Sequence, residues 1–134
     1  MYLTSLDLKQ KKSFLDACLH IIKADGSIAR GELEILDEFC KEMNVKQKKD
    51  PELAYDVAII NLNSVSTPLQ RKQILIELTR LAYADNIIKA REEQMIKFAM
   101  DVFKISKLDY DKIVALVKDL AKLKREINEY LTKK

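Results

Sequence analysis

Two stretches of this chain place carboxylates at a spacing that could do chemistry. Ala24-Asp25-Gly26-Ser27-Ile28-Ala29-Arg30-Gly31-Glu32 recurs sixty residues later as Ala84-Asp85-Asn86-Ile87-Ile88-Lys89-Ala90-Arg91-Glu92, with the shared skeleton A-D-x-x-I-x-x-x-E. In each copy an Asp ends one helix, and a Glu seven residues on opens the next. Two carboxylates then meet at a hairpin mouth, where they could hold a divalent cation with water completing its shell. Two oxygen ligands bind weakly, so a site built from Asp25, Glu32, Asp85 and Glu92 requires both copies, or a partner, to converge. The same residues also have a purely structural use. Asp25 and Asp85 can accept from backbone N–H groups just ahead, and Glu32 and Glu92 can reach back to unpaired N–H groups at a helix start.

An EF-hand is excluded, although D-G-x-I-x-x-x-E reproduces the second half of its loop. With Gly26 as the sixth loop residue, the first and third ligand positions are Ile21 and Lys23, and in the second copy Leu81 and Tyr83. None of these offers a side-chain oxygen to a hard cation. Catalysis has little to stand on. The lone histidine, His20, follows Asp16 by one helical turn and reads as an exposed i,i+4 pair. No nucleophile elbow or Gly-rich phosphate loop is present, and neither Cys has a neighbouring His. The chain is therefore read as a non-enzyme.

The elements that must position the repeat are helices. The composition is 48% apolar and 34% charged with two Gly and two Pro, which favours helix over sheet. The 134 residues suit one domain, 1–134, with a core that needs no staples. The flanks repeat along with the motif. Phe14, Leu15, Cys18, Ile21 and Ile22 fall opposite Ile74, Leu75, Leu78, Leu81 and Ala82, and the apolar positions after each motif match in the same way. Cys18 and Cys40 read as unbridged core hydrophobes.

In order, the spacing predicts a first helix from about Asp7 to Ala24, capped by Thr4 or Ser5, with Leu8 on its inward stripe. Gly26 stops it, and Asn86 does so in the second copy, because both residue types enter the left-handed region readily. A second helix runs from about Ala29 to Met43, with Ile28 as an apolar plug ahead of it and Asn44 as exit. Asp50-Pro51-Glu52 carries the grammar of a helix start and predicts a connecting helix to about Asn61 that buries Leu53, Val57 and Ile60. Thr67-Pro68 opens a fourth helix to Ala84, and the fifth covers Lys89 to Phe103. Ser106 then caps a long C-terminal helix with Ile113, Leu116, Val117, Leu120 and Leu123 on one apolar face. The fold class is all-α, with six to seven helices: two pseudo-repeated hairpins, a connector and a C-terminal cover.

The formal net charge of +3 is too small to argue for nucleic acid. Residues 104–134 nevertheless carry nine Lys/Arg against five Asp/Glu, so a partner could meet Lys118, Lys122, Lys124 and Arg125 on the last helix. No run approaches a membrane span, and no basic stretch leads into an apolar one at the start, so a soluble cytoplasmic protein is expected.

The residues Ala24, Asp25, Gly26, Ile28 and Glu32, with Ala84, Asp85, Ile88 and Glu92, resemble the TerB-like family, which includes tellurite-resistance proteins and the N-terminal domain of a membrane-anchored J-domain co-chaperone. The resemblance extends from about Phe14 to the last helix. It implies an all-α pseudo-symmetric domain with a cytoplasmic, stress-associated role, often at the inner face of the membrane within larger protein complexes. It also implies a divalent-metal role for the acidic positions, here Asp25, Glu32, Asp85 and Glu92, so the leading expectation is a binding domain whose acidic hairpin mouths take either a metal ion or a docking protein partner. The alternative is a structural interaction domain whose acids are caps and whose basic last helix docks a partner.

Overall fold

The computed structural model describes residues 1–133. It contains six helices: α1 (Leu8–Lys23), α2 (Arg30–Met43), α3 (Tyr55–Val65), α4 (Pro68–Ala82), α5 (Ala90–Val102) and α6 (Lys107–Thr132). No strand occurs among the described residues. The two expected hairpins are α1–α2 and α4–α5, with α3 joining them. α1 lies at the centre, buried over ten of its sixteen residues and packed against α2, α3, α4 and α5. Phe14 on α1 meets Phe39 on α2 with ring centroids 5.4 Å apart, and Leu75, Leu78 and Leu81 from α4 close the same core. Cys18 and Cys40 are buried and unbridged.

Local signals explain most of the helix ends. Gly26 at φ +81° and Asn86 at φ 68° turn both hairpins, and Asn44 at φ 55° ends α2. Thr67 caps α4 with Pro68 at its first position, and Ser106 accepts from the Asp109 N–H at 3.1 Å to cap α6.

The first cap differs from expectation. Asp7, not Thr4 or Ser5, caps α1: its Oδ1 accepts from Gln10 N at 2.8 Å, while Gln10 Oε1 accepts from Asp7 N at 2.9 Å. That reciprocal pair frees residues 3–6 to turn back and bury Leu3 and Leu6. Leu8, at the first helical position, points outward and is exposed.

The connector is the larger correction. α3 begins at Tyr55, four residues after Pro51, because α1 seizes the chain ahead of it. The buried Asp16 carboxylate accepts from Glu52 N at 3.2 Å and Leu53 N at 3.1 Å, and pairs with Lys48 Nζ at 2.6 Å. One turn on, His20 Nε2 lies 2.7 Å from the Leu53 carbonyl; a carbonyl only accepts, so Nε2 carries the proton. The expected exposed Asp–His pair is thus a clamp on residues 52–53. Asp50 pairs with Lys23 instead of capping a helix. With the later start, α3 buries Ala58, Ile59 and Leu62, while Val57 and Ile60 face solvent and Leu53 is half-buried. Asp16→Ala is expected to cost about 2–3 kcal/mol in chemical denaturation, since it strands two backbone donors and a lysine.

α6 covers less than expected. It packs on α4 through Tyr110, Ile113 and Val117, and beyond them leaves the bundle, so Leu116 and Leu123 are exposed and Leu120 is half-buried. Among the described residues no helix is long and apolar enough to cross a membrane.

Candidate functional site

The two hairpin mouths meet, and each sits on the other's turn. At Gly31, in the first turn of α2, an added Cβ would lie 2.9 Å from Asp85 Oδ1 and 3.3 Å from the Ala84 carbonyl oxygen. The equivalent residue sixty positions on is Arg91, and its Nη1 donates to the Ala24 carbonyl at 3.1 Å. One junction therefore has a glycine where backbones touch, and the other has a long side chain bridging a wider gap. Lys89 adds an ion pair from the second copy to Asp25 of the first.

This packing makes Glu92 and Asp85 neighbours of Glu32, and Lys89 links them to Asp25. Glu32 and Glu92 are both 4% exposed. Each reaches back to its own helix start, Glu32 Oε1 accepting from Ala29 N at 3.0 Å and Glu92 Oε1 from Lys89 N at 3.3 Å. Asp25 Oδ1 accepts from Ser27 N at 3.3 Å to close its turn. These are the expected turn and cap roles, and they do not exhaust the oxygens. Glu32 Oε2 is buried and no protein donor reaches it.

The Glu92 carboxyl is a neighbour of Glu32 and one of the groups that raise it. Carboxylates only accept, so a buried carboxyl beside a second one favours holding a proton or a cation. Burial above all, offset in part by the Ala29 N–H and reinforced by Glu92 and Asp85, pushes the Glu32 carboxyl up to about 8. At the rim, the hydrogen bond from Lys89 holds Asp25 below the usual carboxylate range, and Asp25 in turn raises Lys89, with Glu92 and Glu32 adding to the effect. Among the described residues no group of three or more His, Cys, Asp or Glu side chains is placed to hold a metal ion. Two buried carboxyls and two rim carboxylates share one junction, and Lys89 is its internal cation. The apolar plug is asymmetric: Ile88 packs against the core, whereas Ile28 is half exposed.

The basic residues of α6 divide. Lys118, Lys122 and Arg125 follow i, i+4, i+7 spacing along one stripe, and the Lys118 ammonium lies 5.4 Å from the centre of the Tyr83 ring. Lys124 and Arg125 line a groove of about 330 Å³ opposite Glu34 and Glu38 of α2.

A second charged centre gave no motif in the sequence. Glu77, fully buried, accepts from the Met1 amino nitrogen at 2.7 Å and from Arg80 Nη1 at 2.9 Å. Arg80 is 6% exposed and packs over the Phe39 ring, and Glu42 holds the Met1 nitrogen and the Leu3 N–H from the other side. The signal available was a Glu and an Arg three apart inside the apolar run of α4.

No protein-family model, curated protein or solved structure matches the chain.

Proposed function

We propose that this chain is a non-enzymatic TerB-like, stress-associated binding domain of the tellurite-resistance type, and that its ligand is a divalent cation at the joined hairpin mouths. One observation carries the reading: the buried Oε2 of Glu32 lacks a donor, in a junction where Glu92 is a second buried carboxyl. A hard cation would replace the proton between Glu32 and Glu92, Asp85 would supply a rim oxygen, and Asp25 would join once Lys89 swings away, with water completing the shell. Four carboxylates against the Lys89 ammonium and the Arg91 guanidinium leave a negative charge that suits a divalent ion. The family resemblance adds the setting, a cytoplasmic protein in a complex at the inner face of the membrane.

Proton and metal compete for the same oxygens, so affinity should rise with pH, by up to about tenfold per unit below pH 8. Amide NMR titration with Ca²⁺, Mg²⁺, Zn²⁺ and Mn²⁺ at pH 6 and pH 8 is the test. Saturable shifts, or Mn²⁺ broadening, confined to residues 24–32 and 84–92 are expected. They should strengthen at pH 8 and vanish in Glu32→Gln/Glu92→Gln, whose fold survives. No localised change up to about millimolar metal would make these residues turns and caps alone.

The groove beside Lys124 and Arg125 favours a second reading, a structural interaction domain whose partner contacts Lys118, Lys122, Lys124 and Arg125. Charge reversal on α6 would then abolish partner binding, and the Glu32/Glu92 variant would leave it intact.

A further inference from the structure

The part of α6 that leaves the bundle carries a seam of its own. Ile113, Leu116, Leu120, Leu123, Ile127 and Tyr130 recur at alternating spacings of three and four, the heptad pattern of a two-stranded coiled coil. Ile113 is taken up by the bundle, but Leu116, Leu123 and Ile127 are 58%, 53% and 49% exposed. The seam runs beside the Tyr110–Val117 face that packs on α4; the two share Ile113, Leu120 is half-buried where they adjoin, and Leu116, Leu123 and Ile127 are left for a second helix. Within Leu116–Tyr130, Leu120 and Ile127 occupy a positions and Leu116, Leu123 and Tyr130 occupy d positions; Leu123 with Ile127 is the pairing that favours two parallel strands.

We propose that this seam is a homodimer interface in which α6 of a second copy pairs in parallel, from Leu116 to Tyr130. Charge selects both the occupant and its direction. In a parallel pair, the g residue Asp119 faces the e residue Lys124 of the other copy, and symmetry makes this contact twice. Antiparallel pairing that opposes Leu120 to Leu123 would set Asp119 against Glu126 twice. Lys118, Lys122 and Arg125 fall at c and f positions off the seam, with Lys118 over the Tyr83 ring and Arg125 in the groove facing α2. The seam is self-complementary, and it is independent of the acidic junction.

Sedimentation equilibrium of the intact chain from about 5 to about 500 µM tests this, with dissociation expected within that range for so short a seam. Leu123→Lys/Ile127→Lys should be monomeric throughout, at least about 100-fold weaker, with unchanged helical circular dichroism because both side chains are already exposed. Lys124→Glu should weaken the dimer by about fivefold, and adding Asp119→Lys should restore it to within about twofold, since the pair is only inverted. A wild-type monomer at every concentration overturns the proposal, as does a dimer that survives the seam variant or shows no rescue by the charge swap. A monomer that instead binds anionic phosphatidylserine vesicles through the seam overturns it in favour of a lipid surface.

Discussion

Raising the pH from about 5 to about 9 is expected to lower the thermal midpoint by roughly 10 °C, and Glu32→Gln should remove most of that fall. The Glu32 carboxyl is pushed up to about 8, chiefly by burial, whereas an unfolded Glu titrates at its model value of 4.5. Between these limits the folded chain holds a proton that the unfolded chain has lost. The stabilisation is complete below the unfolded value and is lost as pH rises through the folded one. At about 1.4 kcal/mol per unit the ceiling is near 5 kcal/mol, and about 3 is expected because the junction can relax and admit water once Glu32 ionises. Glutamine copies the protonated form: its oxygen still accepts from Ala29 N–H, and its amide donates to Glu92 at any pH. Glu32→Gln should therefore match the wild type near pH 5 and exceed it near pH 9. A flat wild-type profile over this range would mean that Glu32 and Glu92 share no proton. Saturating divalent cation, where it binds, should also flatten the alkaline fall, because the ion then replaces the proton.

The fold was legible wherever the chain states its conformation locally. Gly26 and Asn86 turn the hairpins, Thr67-Pro68 and Ser106 open helices, and the sixty-residue offset ties the two halves together. Expectation failed where a distant side chain outbid a local signal. Asp50-Pro51 has every mark of a helix start, yet the buried Asp16 and the half-buried His20 hold the backbone of residues 52–53 in a bend, and the helix waits for Tyr55. For α6, periodicity identifies an apolar stripe but not what lies against it. The candidate site was half legible. Spacing placed Asp25, Glu32, Asp85 and Glu92 at hairpin mouths, but their meeting depends on pairing the two repeats, and only the contrast of Gly31 with Arg91 at equivalent positions hints at that contact.

The Glu77 centre offers the largest expected loss of stability, about 3–5 kcal/mol for Glu77→Ala. The carboxylate is fully buried and lies between two cations, the Met1 amino group at 2.7 Å and the Arg80 guanidinium at 2.9 Å. Truncation leaves Arg80 with Glu38, 3.6 Å away near the surface, and opens a cavity in the middle of α4. The stranded charge, more than the lost attraction, sets the cost, because desolvating two ions offsets most of what their pairing returns. Removing both charges should therefore recover much of the loss. Glu77→Leu/Arg80→Met is expected to unfold in guanidinium at least about 2 kcal/mol above Glu77→Ala, with Met filling the place of the arginine stem over Phe39. If the double variant is no more stable than the single one, the hydrogen bonds that Glu77 accepts from the Met1 nitrogen and the Tyr2 N–H hold the amino-terminal segment in place, and the charge on Arg80 matters little. The two outcomes separate at one further variant. Arg80→Met alone should be nearly as damaging as Glu77→Ala in the first case and mild in the second, where the amino group still neutralises Glu77.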